Sequence, residues 1–362
     1  MTKDADRHHV DKYPVRTDGC THTMLSKGHG GGSPVNYAYL SGHELGIEEH
    51  IVVLPCGGKR VWNARRLKPA LEFTLPDGSS FDRMFRSFIF MCVAIGKRSM
   101  HPLANPFGEI ANQSTWQSWM DELYTSDRNL DALHHAASQP VDVWISLPYP
   151  RRGQLNFGEI HGRTLNFADD EDRLEALYWW MDAFLQRWEE SKHLHDKLVF
   201  RGFVWLREMI LPEEDGQLVA RVNQGIHARN QLAFWLPNYG SYSVWEWRNF
   251  GFDVAALNPD YYGSGPYGRE WIEWTGMAAR TYNMGIQIPC GRGLFYDDTH
   301  LIDYFNLGLP KYSGYMIDSV VVYRFTNYSI RTMYRKDFES YRRLYTFVRG
   351  IYRETHYPDR DY

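Results

Sequence analysis

From about residue 50 onward, short apolar runs of strand length alternate with longer amphipathic segments, and this alternation restricts the chain to few architectures. The runs are Ile51–Leu54, Phe85–Val93, Val141–Leu147, Leu198–Leu206, Leu232–Leu236, Phe252–Leu257, Met284–Ile288 and Tyr315–Val322. Segments with helical spacing follow most of them: Trp116–Tyr124, Glu171–Lys192, Gln217–Asn230, Arg269–Thr281, Thr299–Leu307 and Phe338–Arg353. Within Glu171–Lys192, Leu174, Leu177, Trp180, Met181, Phe184 and Trp188 recur at three- and four-residue steps, one face of a helix. Strands nearly continuous in apolar residues are buried on both faces, which parallel βαβ units require. Eight such units over roughly 300 residues suit a closed barrel. No G-x-G-x-x-G follows the first strand and no phosphate-binding P-loop occurs, which disfavours an open nucleotide-binding sheet. The expectation is an α/β chain: a single (β/α)8 TIM barrel over residues 46–362, preceded by an irregular segment over 1–45.

Composition excludes several partners. The chain of 362 residues carries 40 Lys plus Arg against 44 Asp plus Glu, a net charge of -4. That balance predicts neither nucleic acid nor a membrane surface as partner. No apolar run approaches the roughly 18 residues of a membrane span. The polar first residues lack a secretory h-region, so a cytoplasmic location is expected, or secretion if a leader has been removed. Four scattered cysteines, Cys20, Cys56, Cys92 and Cys290, read as reduced structural thiols. Among 15 histidines, the pairs His8-His9, His134-His135 and His193/His195 show no carboxylate at ligand spacing, so neither a metal nor another cofactor is expected. Aromatic residues reach 15%. They build either a ring-rich core or a ring-lined cleft on which sugar C–H faces stack.

A barrel of this kind carries its chemistry at the C-terminal strand ends. The fourth run ends in Arg207-Glu208, where apolar alternation hands over to charge; Glu208 either pairs with Arg207 or Arg201, or faces a substrate. Asp260, two strands round, is its natural complement or else caps its own turn. Two carboxyls across a cleft are the apparatus of glycoside hydrolysis, with the carboxyl separation deciding retention or inversion. Around them Trp205, Arg207, Tyr149, Tyr239, Asn258, Tyr261, Tyr262, Gln287 and Asp318 are candidates for binding an oligosaccharide or glycoside. Asp297 and Asp298 are reserve acids, whereas Asp169–Asp172 suit a helix N-terminus. His29-Gly30-Gly31-Gly32 resembles an oxyanion loop, but no G-x-S-x-G elbow accompanies it.

The segments GFVWLRE (Gly202–Glu208), FWLPNYG (Phe234–Gly240), GFDVAALNPDYY (Gly251–Tyr262), NMGIQIP (Asn283–Pro289) and SGYM (Ser313–Met316) resemble a bacterial domain family of unknown function. Its members are regarded as glycoside-hydrolase-like (β/α)8 barrels, and the likeness spans about Val141 to Tyr323. It implies a carbohydrate-processing barrel in which Glu208 matches the family's strand-four Glu. Two departures stand out. Arg207 occupies the place of the Asn that precedes the strand-four Glu in the largest glycosidase clan. Gln287 and Pro289 occupy the places of two Glu at strand seven, and an amide is neither anionic nor appreciably basic. The pairing left is Glu208 with Asp260, like the four-and-six arrangement of α-galactosidase-like barrels. Loss of the strand-seven acid is equally compatible with a non-catalytic carbohydrate-binding barrel; a lyase or epimerase using a Tyr or His base is a third reading. The aromatic C-terminus, Tyr341–Tyr357, covers either a barrel face or a subunit contact in a homo-oligomer.

Overall fold

Eight parallel strands close on themselves in a computed structural model that describes residues 37–101, 108–297 and 299–357. The strands are β1 (His50–Cys56), β2 (Ser87–Cys92), β3 (Val141–Ser146), β4 (Leu198–Trp205), β5 (Leu232–Trp235), β6 (Val254–Leu257), β7 (Gly285–Cys290) and β8 (Val321–Phe325). Each pairs with its neighbours in chain order, and β1 against β8 completes the ring through His50↔Val321 and Ile51↔Val322. Every residue of β2, β3 and β7 is buried, as strands packed on both faces must be. Short segments seal the bottom: the Leu40 amide donates to Met284 O (3.2 Å), and the Val320 amide donates to Leu40 O (2.8 Å).

The outer layer holds α1 (Ala64–Leu71), α2 (Gln113–Leu123), α3 (Asn129–Ala136), α4 (Asp170–Glu190), α5 (Gln217–Ala228), α6 (Glu270–Thr281), α7 (His300–Leu307), α8 (Ile330–Lys336) and α9 (Phe338–Val348). The expected face of α4 is the buried one, with Leu174, Leu177, Trp180, Met181, Phe184 and Trp188 turned to the sheet. Asp169 caps that helix by accepting the Glu171 amide (2.9 Å). Between β5 and β6 the crossover shrinks to a 3-10 turn, Val244–Glu246. The C-terminal rings belong to the barrel: Tyr345 and Tyr341 stack on Phe73 (centroids 4.1 and 5.3 Å), and Phe347 stacks on Phe305 (4.8 Å). Cys56, Cys92 and Cys290 are free and buried; Cys20, His8-His9 and the Gly30–Gly32 loop lie outside the described residues. No described helix is long and apolar enough to cross a membrane.

One element corrects the sequence reading. The eighth strand runs Val321–Phe325, not Tyr315–Val322. Tyr315 and Met316 are buried, but under the helices: Tyr315 packs on Phe347 and its hydroxyl donates to Tyr304 O. Helix packing hides an apolar run from water as well as a sheet does, so burial alone did not identify the strand.

Strand β4 departs from regular register between Phe200 and Gly202, where its backbone presses on β5. A Cβ at Gly202 would fall far inside contact distance of the Leu232 carbonyl oxygen, which is backbone and cannot move aside. Gly202→Ala is therefore expected to destabilise the protein by about 3 kcal/mol or more in urea denaturation. An unchanged midpoint would contradict this packing.

Candidate active site

Parity along β4 decides which side chains reach the mouth. Phe203 lies against Trp180 and Phe184 of α4 (centroids 6.3 and 5.7 Å), so beyond the irregularity at Gly202 the odd positions face the helices. Even positions then face the barrel axis, and Glu208 is the last of that row. Its Oε1 accepts from Arg324 Nη1 at 2.7 Å, and its Oε2 accepts from Asn238 Nδ2 at 3.2 Å. Arg324 rises from β8, four staves from β4 in a ring of eight, so this ion pair spans the mouth. Neither Arg207 nor Arg201 serves Glu208; Arg201 pairs with Asp142 and Arg207 with Asp215 (both 2.7 Å).

Two asparagines carry the network onward. Asn258 Nδ2 donates to Asn238 Oδ1 (2.9 Å), and Asn258 Oδ1 accepts the Asp260 amide (3.1 Å). The Tyr262 hydroxyl donates to the Asp260 carboxylate. Asp260 has φ +59°, a left-handed conformation that Asp tolerates better than most residues. The side chains that follow β5 and β6 thus link the Glu208 carboxylate to the Asp260 backbone, while the Asp260 carboxylate itself is held by Tyr262. Gln287 of β7 completes the half-circle: its Nε2 donates to Pro237 O (3.1 Å) and Ala256 O (2.5 Å), and its Oε1 accepts from Arg324 (3.3 Å). Tyr296 stands edge-on to Tyr262 at 4.9 Å and adds a second ring to this rim.

Charge in the site follows from this wiring. Burial acts to raise the Glu208 carboxyl, but the Arg324 guanidinium and the Asn238 amide together hold it below its ordinary 4.5. Burial pushes the nearby His101 imidazole down to about 4, so it is neutral at pH 7 and Arg324 is the permanent cation. The Tyr262 hydroxyl is pushed up by burial and by Asp260, and remains a donor. Arg324 and His101 also line a cavity of about 150 Å3 between the ends of β1, β2 and β8.

The other sequence candidates divide by parity and register. Trp205 and Arg207 point to the helical side. Arg207 Nη1 donates to Tyr149 Oη (2.8 Å), Glu214 Oε2 (2.6 Å) and Asp215 Oδ2 (2.7 Å), and Trp205 stands edge-on to Tyr149. Asp215 also takes Arg173 Nη2 at 2.5 Å, with both side chains fully buried. These residues brace the rim from outside. Tyr239 packs edge-on to Trp271 and Trp245. Tyr261 is buried in the wall, its hydroxyl donating to Asp303 (2.5 Å). Asn258 and Gln287 belong to the mouth network.

Asp318 is a correction. It is exposed, precedes the true β8, and borders a hollow with His50 and Arg349 at the opposite end of the barrel. The residue that β8 presents to the mouth is Arg324, which sequence reasoning missed. Its signal was available: a lone charge closes the run Val321-Val322-Tyr323-Arg324, much as Glu208 closes its own. Asp297 accepts from the Thr299 amide (2.9 Å) and hydroxyl (2.8 Å) in the turn before α7, and Asp298 lies outside the described residues. A second correction concerns histidine spacing. Asp127, Asp131 and His135 bring one ligand atom each to within 4.8 Å of one another, on the outer surface of α3 and its preceding turn.

Residues 51–348 match the model of a domain family of unknown function, DUF4855. No relative with a curated description matches the chain in sequence. Among solved structures, a GH113 β-1,4-mannanase is similar at 11% identity over 84% of this chain and 99% of its own, with a TM-score of 0.46. Xylanase B from Clostridium stercorarium F9 is similar at 8% identity, over 82% and 91%, TM-score 0.36. A mutant tryptophan synthase α-subunit from Pyrococcus furiosus is similar at 10% identity, over 84% and 98%, TM-score 0.37. These likenesses describe the barrel and carry nothing about its chemistry.

Arg324→Met leaves the Glu208 carboxylate buried without its cation, at an expected cost of about 3–5 kcal/mol at neutral pH. Because the folded carboxyl titrates below 4.5, its stabilising contribution is present above that value and fades as pH falls through the folded one. The loss read from urea denaturation should therefore be full at neutral pH and shrink as the pH is taken below 4.5 through the folded value. A loss that stays constant over an acid titration down to unfolding would contradict the pair's electrostatic role.

Proposed function

The chain belongs to the DUF4855 family of unknown function, and from that premise we propose that it hydrolyses glycosidic bonds at the mouth of its barrel. What supports this reading is the hydrogen-bonded path from Glu208 through the Asn238 and Asn258 side chains to the Asp260 amide, which ties the backbone that carries the second carboxyl to the first. Arg324 keeps Glu208 ionised, so Glu208 takes the anionic role, as nucleophile or as base toward water. Asp260 is the remaining carboxyl beside this network and is the partner this reading assigns to Glu208. Tyr262 and Tyr296 offer ring faces beside it for stacking on a sugar.

A specific observation favours a second reading, a carbohydrate-binding barrel without turnover. Gln287, wholly buried and hydrogen-bonded to two backbone carbonyls, occupies the strand-seven position with a group that supplies neither charge nor base.

Assays on a broad panel of glycosides with Glu208→Gln and Asp260→Asn separate the two. Hydrolysis predicts that each variant lowers kcat by about 10²- to 10⁴-fold while sugar affinity survives. Absence of turnover by the unmodified protein, with binding retained, would leave the binding barrel.

A further inference from the structure

The segment after β1 and the segment after β8 enclose a cleft of about 560 Å3. Six cations line it: Lys59, Arg60, Arg66, Arg331, Arg335 and Lys336. No carboxylate does, and none of the six belongs to an ion pair among the described residues. Several arginines elsewhere do have carboxylate partners, among them Arg163, Arg173, Arg207, Arg221 and Arg324. A neighbouring hollow that shares Arg331 and Arg335 adds Arg65 and Lys68, again with no acid in its lining. The chain as a whole is negative, so the concentration is local.

Like charges gathered in one concavity repel one another, and low-dielectric walls focus their field. Half-buried Arg331 registers this: burial and the guanidinium groups of Arg65, Arg335 and Arg66 all disfavour its charge. An anion relieves the repulsion, and guanidinium forks suit carboxylate, sulfate and phosphate oxygens in particular. The cleft also adjoins the candidate active site. Pro55, Arg60, Phe325 and Thr326 line both it and the small cavity that holds Arg324 and His101. A bounded hollow at a barrel mouth is of the size that takes a small ligand or a few sugar rings, not the long stripe that tracks a nucleic-acid backbone.

We propose that this cleft is an anion-binding subsite of the mouth, and that the saccharide it takes is acidic, its carboxylate, sulfate or phosphate groups facing Arg60, Arg66, Arg331 and Arg335. The proposal rests on the glycoside reading above and names its substrate class.

Calorimetric titration tests it with four probes: oligogalacturonate, a sulfated galactan oligosaccharide, a phosphorylated manno-oligosaccharide and carboxyl-reduced oligogalacturonate. A single-stranded oligonucleotide is the fifth. At least one acidic saccharide should bind at least about tenfold more tightly than the neutral one and weaken as salt is raised. The arm that binds identifies the acidic group. Arg66→Glu with Arg335→Glu, both at exposed positions, should cost about tenfold or more in that affinity. Equal binding of the neutral probe, salt-independent binding, an unaffected double variant, or binding of the oligonucleotide alone would each overturn the subsite. The salt series and the neutral probe use the unmodified protein, so the test survives a variant that fails to fold. A protein that binds an acidic saccharide and cleaves none keeps the subsite and removes the hydrolase; one that cleaves neutral glycosides and ignores acidic ones does the reverse.

Discussion

An ion pair across the barrel mouth, Glu208 of the fourth stave with Arg324 of the eighth, is the interaction on which the site depends. Taking both charges out of water is costly, and such a pair persists only where its remaining donors and acceptors are also satisfied. Here Asn238 serves the second Glu208 oxygen, and Gln287 accepts a further hydrogen bond from Arg324 Nη1. Gln287 has a structural role in this wiring, whichever reading of the site holds. A carboxylate in its place would set a second buried anion against the same cation, whereas the amide leaves the full guanidinium charge to Glu208. The same amide ties β7 to the strand ends at Pro237 and Ala256. One half of the rim thereby becomes a continuous polar arc.

Period-two alternation sorts functions along a single strand end. Glu208 turns inward to the mouth, while Trp205 and Arg207 turn outward into a rim network centred on the buried Arg173–Asp215 pair. Adjacent residues in the sequence thus belong to different layers of the protein. The outer network stiffens the wall, and the inner one sets the charge of the site.

Much of the barrel was legible because parallel strands buried on both faces leave continuous apolar runs. The seven runs from Ile51 to Ile288 all became strands, while Tyr315–Val322 was misplaced because helices also bury apolar residues. Helix α1 escaped notice because Pro69 interrupts its pattern and arginines crowd its start. Glu208 was legible as a charge closing an apolar run; its partner was not. The partner lies 116 residues away and was sought among sequence neighbours, although barrel closure brings β8 level with β4. The basic cleft was invisible for a related reason. Net charge averages over the whole surface, and the fold gathers Lys59–Arg66 and Arg331–Lys336 from opposite ends of the barrel sequence into one hollow.

The central claim, that the two carboxyls address one bound sugar, is tested most directly by a crystal structure of the Glu208→Gln variant with an uncleaved oligosaccharide. The account predicts a glycosidic oxygen seated over the Asn238–Asn258 bridge, within reach of position 208 on one side and Asp260 on the other. A saccharide bound elsewhere on the surface, or an Asp260 carboxylate turned away from the chain of sugar rings, would contradict it.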